Sequence, residues 1–130
     1  MNNTLNIIVP VYNEEKNISI LFDRIKKINL SEKHIVTFID DRSTDNTWIE
    51  INKLLDNNAN VNAIQFSKNF GHQICLSAGI DNTKSDLLIM MDGDLQHPPE
   101  MIPAMLKKYY EGYEVVQMCK KNQGKRLLIQ

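Results

Sequence analysis

Residues 87–100 read Leu87-Leu88-Ile89-Met90-Met91-Asp92-Gly93-Asp94-Leu95-Gln96-His97-Pro98-Pro99-Glu100: five apolar residues, then two carboxylates separated by one glycine. A wholly apolar run of that length is the pattern of a strand buried on both faces inside a parallel sheet. Open α/β sheets bind ligands in the crevice beyond the carboxyl ends of their strands, and Asp92 and Asp94 stand where such a strand ends. Two carboxylates in a glycine turn can aim at one hard cation, and Gly93 lets the backbone bend without a Cβ in the way. Mg2+ and Mn2+ prefer oxygen ligands, and Mg2+ typically takes one or two carboxylates plus substrate phosphates. A diphosphate-bearing substrate is therefore the natural third party. The plainer reading, solvated turn acids with Asp94 capping the next segment, is weakened by the buried strand in front and by Gln96 and His97 behind.

Working outward, the rest of the chain repeats the strand-then-polar pattern. Leu5-Asn6-Ile7-Ile8-Val9 is a β-branched run ended by Pro10. A helix is expected over residues 14–28, with Ile18, Leu21, Phe22, Ile25 and Ile28 forming one apolar stripe. Asn13 is its expected N-cap, Glu14 and Glu15 suit its positive end, and Lys26 and Lys27 its negative end. Residues 34–39 form a second strand that ends in Asp40 and Asp41. Ser43, Thr44 and Asp45 offer cap oxygens for a helix to about residue 55, with Trp48, Ile51 and Leu55 inward. A third strand over residues 61–66 leads through Ser67-Lys68-Asn69-Phe70-Gly71 into a helix over 72–82. Gly79 inside that helix costs ~1 kcal/mol relative to alanine, so close packing on the sheet is the expected reason for it. Pro98 and Pro99 start a further helix with Met101, Ile102, Met105, Leu106 and Tyr109 inward, ended by Gly112. Residues 114–118 make a weaker fifth strand. The order βαβαβαβαβ defines an α/β fold: a mostly parallel sheet with helices on both faces.

Size and composition limit the function classes. A chain of 130 residues holds one domain with a real core, and 42% hydrophobic with 24% charged residues is ordinary for a globular domain. Fifteen basic against sixteen acidic residues leave a charge of −1 and no electrostatic case for nucleic acid. No apolar run approaches the ~20 residues that span a bilayer, and the first residues lack a signal peptide's basic start and apolar core. Cys75 and Cys119 make neither a disulfide framework nor a zinc spacing, so a reducing cytoplasm is the expected compartment. An incomplete sheet edge could recruit a second chain, leaving self-association open.

Four strand ends carry polar segments: residues 10–15, 40–45, 68–71 and 92–96. All lie along one edge of a parallel sheet. Asp40 or Asp41 could accept hydrogen bonds from a base or from ribose hydroxyls, as acids do in dinucleotide folds; taken alone, they read more readily as a loop acid pair that helps start the next helix. Lys68, Asn69 and Gly71 precede a helix, and a helix N-terminus beside a cation favours phosphate; a surface lysine before a glycine-assisted helix start fits the local sequence as well. His34, His72 and His97 are single histidines without ligand spacing; His97 could approach a bound metal, but a surface cap is the favoured reading. Cys75 falls on an apolar helix face and reads as core. Ser77-Ala78-Gly79 lacks the glycine-flanked elbow of serine hydrolases.

Taken together, four ordered motifs carry a family resemblance. Ile8-Val9-Pro10-Val11-Tyr12-Asn13-Glu14-Glu15 resembles the opening of family 2 glycosyltransferases of the GT-A fold, and residues 39–47 (Ile-Asp-Asp-Arg-Ser-Thr-Asp-Asn-Thr) resemble their second motif. Phe66-Ser67-Lys68-Asn69-Phe70-Gly71 and the stretch from Met91 to Glu100 resemble the polyprenyl-phosphate branch, the dolichol-phosphate-mannose synthase-like enzymes and bacterial polyprenyl-phosphate glucosyltransferases. The resemblance implies a Rossmann-like nucleotide-binding half. Pro10, Tyr12 and Glu14 would line the base and ribose pocket, Asp41 would bond the base with Asp40 beside it, and Lys68 would sit near the phosphates. Asp92, Asp94 and Gln96, around Gly93, would hold Mg2+ or Mn2+ and the donor's diphosphate, with Asp92 and Asp94 the catalytic pair. The implied reaction transfers a hexose from GDP-mannose or UDP-glucose to a lipid phosphate with inversion, at the inner membrane face in full-length relatives.

Two departures from the family pattern stand out. Arg42 replaces the glycine usual after the acid pair. The family's acceptor-binding segments have no counterpart within these 130 residues, so the chain is expected to be the donor-binding half. The expected division is a nucleotide-sugar-binding domain over residues 1–118 and a basic tail over 119–130, where Lys120, Lys121, Lys125 and Arg126 lie. A module that binds the nucleotide-sugar without turnover is the alternative. A phosphoryl-transfer domain is disfavoured, because those folds place the acid after the first strand, which here ends in Val9-Pro10-Val11-Tyr12.

Overall fold

A computed structural model describes residues 3–121 and 124–129, with side chains described through Cys119. The chain divides into two compact units, Met1–Pro98 and Pro99–Gln130, a boundary ahead of the 118/119 division expected. The first unit runs β1 (Thr4–Val11), α1 (Ile18–Lys26), β2 (Lys33–Asp40), α2 (Thr47–Asn57), β3 (Val61–Gln65), α3 (His72–Asp81) and β4 (Leu87–Met90). Its sheet is wholly parallel in the order β3-β2-β1-β4, with Ile8 opposite Thr37 on one side and Met90 on the other.

That order reverses direction at β1. The chain steps outward from β1 to β2 to β3, then crosses back to place β4 on the far side of β1. Because parallel crossovers are right-handed, α1 and α2 share one face and α3 takes the other. The central strand β1 is consequently buried on both faces from Leu5 to Val11. One face meets the apolar stripe of α1 (Ile18, Leu21, Phe22 and Ile25), which packs beside α2. On the other, Ile8 and Ile39 pack with Cys75, flanked by Ile64, Phe66 and Leu76. Asn6 and Thr37 are buried on the α3 face and satisfy each other, with Thr37 Oγ1 donating to Asn6 Oδ1 at 2.8 Å.

Gly79 confirms the packing reason expected for it. A Cβ there would lie 2.5 Å from Ile8 Cγ2 and 2.7 Å from Ile39 Cδ1.

Other expectations are corrected. The Leu87–Met90 strand is not buried on both faces. Among the described residues it pairs with β1 and ends the sheet, and on one of its faces Leu88 is 42% and Met90 51% exposed. The first helix begins at Ile18, not residue 14, and Asn13 is not its cap. With φ +53°, Asn13 stands in the loop after β1, and the backbone turns through residues 15–17 before the helix starts. The second unit holds a single 3-10 turn (Pro99–Met101), α4 (Ile102–Tyr110), β5 (Val116–Lys121) and β6 (Gly124–Ile129). Gly112 ends α4 as expected, at φ +111° and with its N–H bonded to the carbonyl of Tyr109. The fifth strand does not extend the parallel sheet: β5 and β6 pair antiparallel in a separate two-stranded sheet. Part of the span expected as a tail is therefore strand β6; its side chains, those of Lys120, Lys121, Lys125 and Arg126 included, lie outside the described ones. Among the described residues no helix is long and apolar enough to cross a membrane.

Candidate donor and metal site at the sheet's switch point

The carboxyl ends of β1 and β4 meet where strand order reverses, the position at which open α/β sheets form their ligand crevice. Four loops converge there, and a side chain or a backbone contact ties each to the next. Between the first and second, Asp41 N–H donates to the Val11 carbonyl at 3.0 Å. Asn13 N–H donates to Ser43 Oγ at 2.9 Å, and Asn13 Oδ1 accepts from the N–H groups of Thr44 at 2.8 Å and Asp45 at 3.3 Å. Glu14 N–H donates to Thr47 Oγ1 at 2.8 Å. Asn13 thus serves as a bracket between loops. Asp45 takes the capping role at α2, accepting from Thr47 N–H at 2.9 Å. Burial pushes the Asp45 carboxyl up, but the hydrogen bonds from Thr47 and from the Glu15 backbone outweigh it and hold the group below the usual carboxylate range.

The acid pair is built into the loops. Asp40 is fully buried; its Oδ1 accepts from Ser43 N–H at 3.0 Å and its Oδ2 from Gln65 Nε2 at 3.3 Å. Asp41, 5% exposed, accepts from the N–H of Phe70 at 2.7 Å on one oxygen and from that of Gly71 at 3.0 Å on the other. Asn69 Nδ2 adds a bond to the Asp41 carbonyl at 3.2 Å. A carboxylate of the chain itself therefore occupies the N–H groups of Phe70 and Gly71 that lead into α3. The ammonium of Lys68 lies 5.1 Å from the centroid of the Phe70 ring, which also meets Phe66 edge to face at 5.5 Å.

Desolvation, reinforced by the charges of Asp41 and Asp40 and a hydrogen bond to Asp41, raises the Cys75 thiol from 9.0 to about 11. Cys75 is thus inert core, as its helix position implied. An unfolded thiol releases its proton near pH 9.0, whereas the folded one keeps it to about pH 11. The unfolded state then binds fewer protons, so stability falls as pH rises across that window and levels off above it. Urea midpoints measured from pH 8 to 11 should decline, and Cys75→Ser should flatten that decline. Iodoacetamide should label Cys75 only after denaturation.

Arg42 adopts φ +59°. That left-handed backbone is the reason glycine suits this position, since a side chain there costs ~1–2 kcal/mol. Arg42→Gly should raise stability by up to about 1 kcal/mol once glycine's larger unfolded-state entropy is subtracted. Calorimetric melting checks it; a lower melting temperature would contradict it.

The fourth loop carries the remaining expected residues. Met91 N–H bonds the Ile8 carbonyl at 3.1 Å, continuing the sheet up to Asp92. A Cβ on Gly93 would lie 2.6 Å from Val11 Cγ1, so the lack of a side chain is needed for close approach to β1. The left-handed residue of the turn is Leu95, at φ +65°. Asp94 is exposed and its Oδ1 accepts from Gln96 N–H at 3.0 Å, closing the turn. Asp92 is held by two histidines, of which the sequence suggests only His97 as a neighbour of the metal. His72 Nε2 lies 2.8 Å from Asp92 Oδ1, and Asp92 N–H donates to His97 Nδ1 at 3.0 Å. His72 lies 20 residues upstream, and only the return of α3 to β4 brings it to the acid.

Asp92, Asp94 and Gln96 offer carboxylate and amide oxygens, donors suited to Mg2+ or Mn2+. Among the described residues, no group of three His, Cys, Asp or Glu side chains is arranged to hold a metal. A pair of carboxylates fits a cation that completes its coordination on substrate phosphates, the mode typical of Mg2+. Tyr12 is exposed and Glu14 partly buried, with Glu14 Oε2 accepting from Asn17 Nδ2 at 2.7 Å. Pro10 is buried at the end of β1. A separate open groove of about 400 Å3, lined by Phe66, Phe70, Ile74, Ser77, Ala78, Asp81 and Asn82, contains none of the expected site residues.

An open parallel sheet with an acid turn at its switch point defines an α/β protein of the Rossmann-like class. The sequence is matched over residues 6–127 by the family model for glycosyl transferase family 2, and the chain belongs to that family. It is 44% identical over 115 residues to the uncharacterized glycosyltransferase YkcC of Bacillus subtilis, covering 85% of this chain and 35% of that protein. It is 35% identical over 127 residues to the undecaprenyl-phosphate 4-deoxy-4-formamido-L-arabinose transferase of Proteus mirabilis, covering 92% and 38%. The chain spans about a third of the length of these curated relatives. Among solved structures, the mannosyltransferase PcManGT from Pyrobaculum calidifontis, in complex with GDP-Man and Mn2+, superposes with a TM-score of 0.80 at 20% identity, covering 94% of this chain and 36% of that one. The fold is the Rossmann-like GT-A fold.

Proposed function

We propose that this chain binds the donor in a metal-dependent, inverting glycosyltransferase that moves a hexose from a nucleotide-diphosphate sugar to a polyprenyl phosphate. The observation that carries the proposal is the Asp92-Gly93-Asp94 turn, set against β1 at the switch point. Family membership and the Mn2+ and GDP-Man named with PcManGT support the donor and cation. The undecaprenyl-phosphate transferases among the relatives support the acceptor.

In this reading Asp92, Asp94 and Gln96 hold the cation and the donor diphosphate. Pro10, Tyr12 and Glu14 line the base and ribose pocket, and Lys68 approaches the phosphates. Asp41, expected to bond the base with Asp40 beside it, is buried with its oxygens on the N–H groups of Phe70 and Gly71, so in this reading the pair serves the nucleotide by holding the loops of the site. A bound divalent cation would neutralise charge building on the leaving diphosphate, usually the largest source of rate in such transfers. The attacking oxygen belongs to a phosphate monoester whose second pKa is about 6. It is already anionic at neutral pH and needs little general-base help, so the site's task is to hold two like-charged substrates together.

GDP or UDP with Mn2+ should raise the melting temperature, by the equivalent of about 2.7 kcal/mol at 100 times Kd. GDP-mannose titrated against UDP-glucose then identifies the donor. If neither nucleotide shifts melting with Mn2+ present, the reading fails. Labelled donor incubated with polyprenyl phosphate separates a transferase from a donor-binding module, because only the former yields lipid-linked sugar.

A further inference from the structure

Two histidines hold Asp92 without belonging to the oxygen donors that would face a cation. Their geometry is specific. His97 Nδ1 accepts the Asp92 backbone N–H at 3.0 Å, so that nitrogen carries no proton and the neutral ring bears its hydrogen on Nε2. That Nε2 faces Asp92 Oδ2 at 3.7 Å, beyond a direct hydrogen bond but within electrostatic reach. His72 Nε2 meets the other oxygen, Oδ1, at 2.8 Å and donates to it. Each carboxylate oxygen therefore faces one imidazole N–H and keeps lone-pair capacity for a cation.

The two rings are anchored differently. His97 closes the turn from residue 92 to 97 on itself, clasping a loop that also contains the left-handed Leu95 and the Asp94–Gln96 bond. His72 opens α3 directly after Gly71, whose N–H is fixed by buried Asp41. The acid pair thus reaches the metal loop through His72.

We propose that His72 and His97 are positioning residues for Asp92, His72 orienting its carboxylate and His97 its backbone, so that the acid is preset to receive a divalent cation. This rests on the metal reading given under Proposed function. Groups that hydrogen-bond a metal's ligands commonly contribute 10–100-fold to its affinity.

The test uses the full chain with Mn2+ and GDP or UDP, reading free Mn2+ by electron paramagnetic resonance. His72→Ala and His97→Ala should each weaken Mn2+ binding by roughly 10-fold or more, with metal-free melting curves close to wild type. His72→Gln, which can place an N–H near the same point, and His97→Asn, which keeps an acceptor for the Asp92 N–H, should each recover most of the loss. Nitrogen modulation in the bound Mn2+ signal should lack directly coordinated histidine. Wild-type binding within twofold of both alanine variants would overturn the proposal, as would failure of Gln and Asn to rescue. A directly bound histidine nitrogen would also overturn it, by making the residue a ligand. Asp94→Asn separates the two levels: if wild type and this variant bind Mn2+ alike, the metal reading itself falls.

Discussion

Asp41→Ala should destabilise the chain by about 3 kcal/mol and disorder the entry to α3. The Asp41 carboxylate accepts from the backbone N–H groups of Phe70 and Gly71, one per oxygen, and it is almost completely buried. Hydrogen bonds to a charged acceptor contribute about 1.5–3 kcal/mol each, and removing the acceptor also leaves donors unpaired. Alanine loses both bonds. The exposure of Phe70 lets water recover part, which keeps the expected loss near the lower end of the sum. Asp41→Asn retains one acceptor oxygen and should lose about half as much. Urea midpoints give both values, and an alanine variant that unfolds at the wild-type midpoint would contradict the assignment. Because Gly71 precedes His72, the same substitution should weaken Mn2+ binding, although Asp41 does not touch the metal loop.

Gly79→Ala provides the second large effect, and its sign opposes helix propensity. Alanine in a helix interior is worth about 1 kcal/mol over glycine. Here its Cβ would fall 2.5 Å from Ile8 Cγ2 and 2.7 Å from Ile39 Cδ1. Overpacking a dense core costs about 1–3 kcal/mol, and Ile8 Cγ2 is borne directly on the Cβ of the central strand, where it has little room to move. The net expectation is a loss of about 1–2 kcal/mol, and Gly79→Leu should prevent α3 from docking. Ile39→Val removes the Cδ1 atom, so the double variant Gly79→Ala/Ile39→Val should be more stable than additivity of the single changes predicts. Additive losses in a thermal-melt cycle would place the strain elsewhere.

These two positions also show where sequence reading succeeds and where it stops. Gly79 was legible because a glycine within an apolar helix pattern has few explanations besides close approach. The strand–helix alternation, the apolar stripe of α1 and the polar strand ends were legible because each depends on local periodicity. Asp41 was visible as an acid at a strand end, but not as the anchor of the segment before α3, since that bond spans 29 residues. His72 read as a single histidine without ligand spacing for the same reason. Asn13 resembled a helix cap because cap residues and loop brackets use the same amide chemistry.

The Leu87–Met91 run illustrates the limit most directly. An apolar run reports affinity for a sheet, but not how its two faces will be covered; among the described residues β4 pairs with β1 at the end of the sheet, and alternate residues on one of its faces stay open. Residues 114–118 announced a strand without its direction, because parallel and antiparallel pairing make the same demands over so short a segment. By itself, the sequence determined the α/β class, the family, and the presence of acids and a cation-suited turn at the strand ends. The tertiary structure alone decided which acids face outward and which are spent inside. That choice depends on crossover handedness and strand order, which bring backbone donors from one loop onto the carboxylate of another.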